Sequence, residues 1–155
     1  DGTVIDSPDS VGPPFDLNHI IRPIAPVVGQ QDDWVNVPLI ELALARSGDK
    51  GNKANVGVIS RKPVYLPYIY AALTEQVVAD CFAHFLPEGA VAQSSCYVQR
   101  YLMPGADAIN FLIHDVLGGG GMASIRNDAQ GKGFGQLMLA TSIAVPRSIL
   151  NSDIG

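Results

Sequence analysis

From Lys62 to Leu86 apolar residues recur every three or four positions. Leu66, Ile69, Leu73, Val77 and Cys81 form a stripe that Val78, Phe82 and Phe85 widen. That period is helical, and the remaining apolar runs must be arranged around this one long element. Pro63 and Pro67 fall near its first turn, where a missing N–H costs little, and Pro87 and Gly89 end it. Ahead of it, VPLIELALA (residues 37–45) reads as a mostly apolar strand, and NVGVIS (residues 55–60) as a second extended run. Behind it, AQSSCYVQRYLMP (residues 92–104) is β-like, with Cys96, Val98 and Arg100 facing one way and Tyr97, Gln99 and Tyr101 the other. MPGADA is a turn, and AINFLIHDVL is a strand that pairs with its predecessor. QLMLAT reads as a short second helix and SIAVP as a closing strand. Strand, helix, strand, strand, helix, strand is the order of an α+β ferredoxin-like sandwich, β-α-β-β-α-β.

A chain of 155 residues fits one domain with an appendage. The appendage is residues 1–36, which hold five of the eleven prolines and six acids against one base, Arg22. Proline fixes φ and removes backbone donors, so this segment reads as an irregular acidic arm or linker. Its piece LNHIIRPIAPVV is apolar enough to pack along a surface, either its own domain or a neighbour's. Residues 37–147 are the compact domain and 148–155 a tail. Outside the arm, nine acids balance nine bases, so the net charge of −5 belongs to the arm. No basic face is evident, which argues against a nucleic-acid partner. No apolar run approaches the roughly 18 residues of a membrane span, and no signal peptide is recognisable. A cytoplasmic protein without a membrane partner is the expectation. The chain starts at Asp1, which reads as a fragment, a processed product or a trimmed chain.

Two stretches concentrate the chemistry. RSGDKGNKAN brings Arg46, Lys50 and Lys53 together with Ser47, Gly48, Asp49, Gly51 and Asn55. LGGGGMASIRNDAQGKG brings Gly118, Gly119, Gly120, Gly121 and Gly131 together with Arg126, Asp128 and Lys132. Glycines let backbone N–H groups line a concavity, lysine adds a point charge and arginine a bidentate fork, so the pair suits a phosphate or carboxylate. The same residues also suit plain turns, with Asp49 paired to Lys50 or Lys53 and Asp128 to Arg126. Neither a Walker A loop nor GxGxxG opening a helix is present, and no cofactor is indicated. A metal site is not expected, because His19, His84 and His114 are scattered and the two cysteines have no CxxC spacing. Cys81 and His84 share a helical face in an apolar stretch; Ser47 lacks a nearby histidine and a GxSxG frame. His114 with Asp115, at a strand end, is the better acid/base candidate.

ARSGDKGNKANVGVISR (residues 45–61), LGGGGMASIRNDAQGKGFGQ (residues 117–136), RYLMP and INFLIHDVLGGGG resemble the acyclic terpene utilisation (AtuA-type) family, and within it the C-terminal ferredoxin-fold domain. The resemblance runs from about Pro38 to Pro146. It implies a place in the catabolism of acyclic terpenes through acyl-CoA intermediates, with lyase or hydratase chemistry on a branched acyl-CoA. It assigns no catalytic residue and carries over only the motif positions named above. Typical members place a larger domain before this one. The chain is therefore expected to be a small subunit or a piece that meets a large partner domain, with an oligomer as the expected state. Two readings stay open. In one, the glycine stretches line a site for a CoA thioester or related carboxylate; Arg126 and Lys132 then converge on SGDKG around a concavity. In the other, the domain is a non-catalytic assembly or regulatory module, and an apolar patch of more than a few hundred Å² lies exposed.

Overall fold

The computed structural model describes residues 12–14, 16–21 and 23–150. It is an α+β protein of ferredoxin-like type, built on a four-stranded antiparallel sheet in the order β2-β3-β5-β4. The strands are β2 (Ala43–Lys50), β3 (Lys53–Ser60), β4 (Val98–Met103) and β5 (Ala108–Ile113). A separate antiparallel pair joins β1 (Trp34–Pro38) to β6 (Ser142–Pro146). The closing strand therefore clasps the first one and does not take an edge of the large sheet. That edge position, beside β3, is held by β2.

The strand expected over residues 37–45 is two strands. A single turn of 3-10 helix at Leu39–Glu41 interrupts it, with Leu39 and Leu42 buried and Leu39 N–H donating to Thr141 O at 2.8 Å. The bend lets one apolar run serve both sheets. The long helix is also divided, into α1 (Leu66–Ala72) and α2 (Glu75–Cys81). Leu73 leaves helical geometry at ψ 71°, and Thr74 caps α2, its side chain accepting from Val77 N–H at 3.2 Å. A threonine N-cap competes with continued helix because it satisfies a donor that the new helix leaves open. Pro67 sits in the first turn of α1 as its position demands. Residues 94–97 form a short helix, α3 (Ser94–Tyr97), where the sequence suggested extended chain. α4 (Phe134–Leu139) precedes β6, and α5 (Arg147–Leu150) follows it.

Side chains alternate across the large sheet. Ala43, Ala54, Val56, Val58, Val98, Ile109, Phe111 and Ile113 face a core completed by Leu73, Val78, Phe82, Phe134 and Met138. Phe82 stacks on Phe134 with centroids 4.8 Å apart. The opposite face carries Leu44, Arg46, Gly48 and Lys50 of β2, Lys53, Asn55, Gly57 and Ile59 of β3, Asn110 and Leu112 of β5, and Gln99, Tyr101 and Met103 of β4. Of these, Leu44, Ile59, Tyr101 and Met103 are about half exposed. Strand register aligns Leu44, Ile59, Ala108 and Met103 in one row, and Arg46, Gly57, Asn110 and Tyr101 in the next.

Candidate functional site

RSGDKGNKAN is a hairpin and not an open loop. β2 runs to Lys50, β3 restarts at Lys53, and only Gly51 and Asn52 turn between them. Gly51 takes φ 68° at the first turn position, the place of glycine in a type II′ hairpin. Asn52 then ties the tip to the glycine quartet. Its side-chain amide donates to the Asp115 carboxylate at 3.0 Å and accepts from Gly119 N–H at 2.7 Å. Its carbonyl accepts from Val116 N–H at 3.2 Å. Asn52 was not among the expected site residues. A polar residue at a two-residue hairpin tip was the available signal, but its partners lie more than sixty residues away.

The quartet packs against that tip. A Cβ on Gly120, whose φ is 83°, would lie 2.5 Å from Gly51 O, so the backbone approach itself excludes a side chain. Arg126 holds the other side of the loop. Its guanidinium donates to Val116 O and, at 3.2 Å, to Phe85 O, and stands 5.6 Å from the Phe85 ring centroid. Arg126 is thus fixed to carbonyls and does not converge on SGDKG.

Lys132 does. A Cβ added to Gly48 would come within 3.3 Å of Lys132 Nζ, so the lysine occupies space that a side chain at position 48 would need. The same ammonium stands 3.8 Å from Asp49 Oδ1. Its backbone is fixed from two sides. Asp128 accepts from Lys132 N–H and Gly133 N–H, each at 2.8 Å. Ser47, buried on β2, donates to Lys132 O at 3.1 Å and accepts from Gly135 N–H at 2.9 Å. α4 rests directly on the strand, since a Cβ on Gly135 would lie 3.3 Å from the Ala45 carbonyl carbon. Ser47 and Asp128 therefore position the loop. Asp128 meets backbone donors here and not Arg126.

Two adjoining hollows, of about 340 and 310 Å³, result along the open face and its β2 edge. Arg46, Ser47 and Lys132 line both; Gln136 closes one, and Gly48, Lys50, Asn55 and Gly57 line the other. Asn55 donates to Asn110 Oδ1 at the floor. Lys50 Nζ is 3.0 Å from Asp49 O, leaving it further donors. Glycines at positions 48 and 57 keep the sheet backbone bare between the cations, which lets an anion approach closely. The hollow thus unites Ser47, Gly48, Lys50, Asn55 and Lys132, with Asp49 at its rim. Gly118–Gly121 and Arg126 lie apart, around the hairpin tip.

The acid/base candidates are placed differently. His114 N–H donates to Tyr97 O at 2.7 Å, and its Nε2 is buried without a hydrogen-bond partner. Asp115, at φ 52°, accepts from Asn52. Cys81 meets Leu137 O at 3.9 Å and Thr141 Oγ1 at 3.7 Å, whereas His84 packs on Phe85 at 4.0 Å. Burial pushes the Cys81 thiol above its ordinary value, which disfavours a thiolate. Among the described residues no group of three metal-ligating side chains occurs, and no helix is long and apolar enough to cross a membrane.

Residues 37–144 match the family model described as the AtuA ferredoxin-like domain. No curated protein and no solved structure is a match to the chain.

Proposed function

The chain belongs to the AtuA ferredoxin-like domain family, and on that premise we propose that it acts as the anion-holding small unit of an AtuA-type protein. In this reading the hollow of Arg46, Lys50 and Lys132 takes the phosphates or the carboxylate end of a CoA thioester. A large AtuA-type domain or subunit supplies the rest of the active site for lyase or hydratase chemistry on branched acyl-CoA compounds from acyclic terpenes. The observation that carries the reading is the approach of Lys132 to Gly48, which brings the two glycine motifs to one cationic hollow. Three cations around bare sheet backbone suit an anion, and bidentate arginine suits phosphate in particular. The proposed contribution is binding. Ser47 Oγ is engaged on both its donor and acceptor sides, and His114 Nε2 is buried.

Titration of the full chain with CoA, followed calorimetrically, tests it. Saturable binding is expected, weakened about tenfold by either Arg46→Ala or Lys132→Ala, the loss of one charge-assisted contact. Absence of saturable binding, or wild-type affinity in both variants, overturns the reading.

A second reading, docking of the domain on a larger subunit, is favoured by a separate observation. Met122 and Ile125 are fully exposed on the glycine loop that Arg126 and Asn52 hold in place. Apolar side chains presented by a fixed loop suit insertion into a partner's surface. If Met122→Asp leaves co-purification with a large AtuA-type subunit intact, this reading fails.

A further inference from the structure

The open face of the large sheet and the N-terminal arm are complementary, and among the described residues both present exposed apolar side chains. The face joins an apolar row to a cationic one. Leu44, Ile59 and Met103 are 51%, 47% and 49% exposed, Arg46 stands in the next row, and Lys50 and Lys53 pair at the far end of the face. No acidic residue occupies an outward position on any of its four strands. The arm has the opposite character. Its first 36 residues hold six acids and one base. Leu17, Ile20 and Ile21 are 73%, 47% and 93% exposed, following Asp16, which caps their turn through Asn18 N–H at 2.9 Å.

Among its described residues, the arm meets its own domain at its root and flank. Asp33 pairs with Arg147 at 3.1 Å, and Trp34 Nε1 donates to Gln31 O at 2.8 Å. Val28 lines a hollow with Trp34 and Tyr68, and Pro23 another with Arg100 and Tyr101 at the β4 edge. On the N-terminal side of Pro23, Leu17, Ile20 and Ile21 are exposed to solvent. The 3-10 turn at Leu17–His19 and the flanking Pro13, Pro14, Pro23 and Pro26 suit a segment laid across a sheet face better than a strand added to its edge.

We propose that the Asp16–Ile21 segment of a second copy of this chain docks on the open sheet face. Leu17, Ile20 and Ile21 would cover Leu44, Ile59 and Met103, and Asp16 would meet Arg46. Exchange is reciprocal, so each of two copies covers the other's face, an isologous arrangement. It goes beyond the anion-holding reading and stands without it.

Sedimentation equilibrium of the full chain tests the proposal, with one arm variant, Ile20→Asp/Ile21→Asp, and one face variant, Leu44→Asp/Met103→Asp. The wild type is expected to dimerise, more weakly at high salt. Each variant alone is expected to raise the dissociation constant at least tenfold. Mixing the two restores dimers, because one intact arm then meets one intact face. The arm variant lies outside the folded core, so its effect cannot come from unfolding the domain. A monomeric wild type, a dimer unaffected by the arm variant, or a mixture that stays monomeric overturns the proposal. Because the docked arm would share Arg46 with the hollow, CoA affinity is measured on the arm variant, and that value decides the anion-holding reading whichever way sedimentation turns out.

Discussion

Arg126 and Lys132 come from one glycine-rich stretch, six residues apart, and they have opposite fates. Arg126 turns inward, where its guanidinium meets Val116 O and Phe85 O and seals the quartet against the domain. Lys132 turns outward, its side chain 61% exposed, and stands over Gly48 at the cationic hollow. Glycines and cations in sequence do not distinguish these outcomes. What distinguishes them is whether backbone carbonyls lie within reach of the donors. The first half of the stretch is a structural joint and the second half presents a charge.

Substitutions can break or sharpen that division. The largest effect belongs to Gly120→Ala. Left-handed φ and a Cβ 2.5 Å from Gly51 O both oppose it, so a loss of more than about 3 kcal/mol in denaturant unfolding is expected. Gly121→Ala next to it meets only the Gln130 side chain, at 3.6 Å and beyond, and should lie within about 0.5 kcal/mol of wild type. Equal costs at the two positions would deny the joint its basis. Arg126→Ala follows, at about 2–3 kcal/mol, because two carbonyls lose a charged donor and Phe85 loses its cation. CoA affinity should stay unchanged in that variant; a fall would move Arg126 to the hollow's side of the division. Ser47→Ala leaves Gly135 N–H without its acceptor and is expected to cost about 1–2 kcal/mol. Lys132→Ala should be the mildest in the same unfolding assay, within about 0.5 kcal/mol, since its pairing with Asp49 is solvent-exposed. A large loss of stability there would make Lys132 a second structural joint.

Much of the architecture was legible from periodicity. Apolar spacing located the helical region, the β4–β5 hairpin and the closing strand, as the burial of the stripe's Ile69, Val78 and Phe82 illustrates. Interruptions were not legible. Thr74 stops a helix by a local hydrogen bond, and the turn at Leu39–Glu41 leaves the apolar run unbroken. The hairpin was hidden for another reason. Arg46, Lys50 and Lys53 face solvent from the uncovered side of the sheet, so charge masked an extended segment as a loop. Within the site, the residue types were readable and their pairing was not. Lys132 meets Gly48 across 84 positions of chain, a contact made only when α4 settles on β2. The pairing of β6 with β1 was equally invisible, because apolar spacing does not say which strand a strand will choose.

That last pairing has a mechanical consequence. Trp34 lies opposite Pro146 and Pro38 opposite Ser142, so the places where chain enters and leaves the domain are neighbours at one end of a two-strand ladder. Tension applied through the two termini would open this ladder rung by rung, as a zipper opens, with no shear across the strands. The four-stranded sheet and the hollow on it lie outside that line of force. The β1–β6 ladder is therefore a fastener between the domain and its flanking segments, one that can be let out by tugging while the four-stranded sheet keeps its shape.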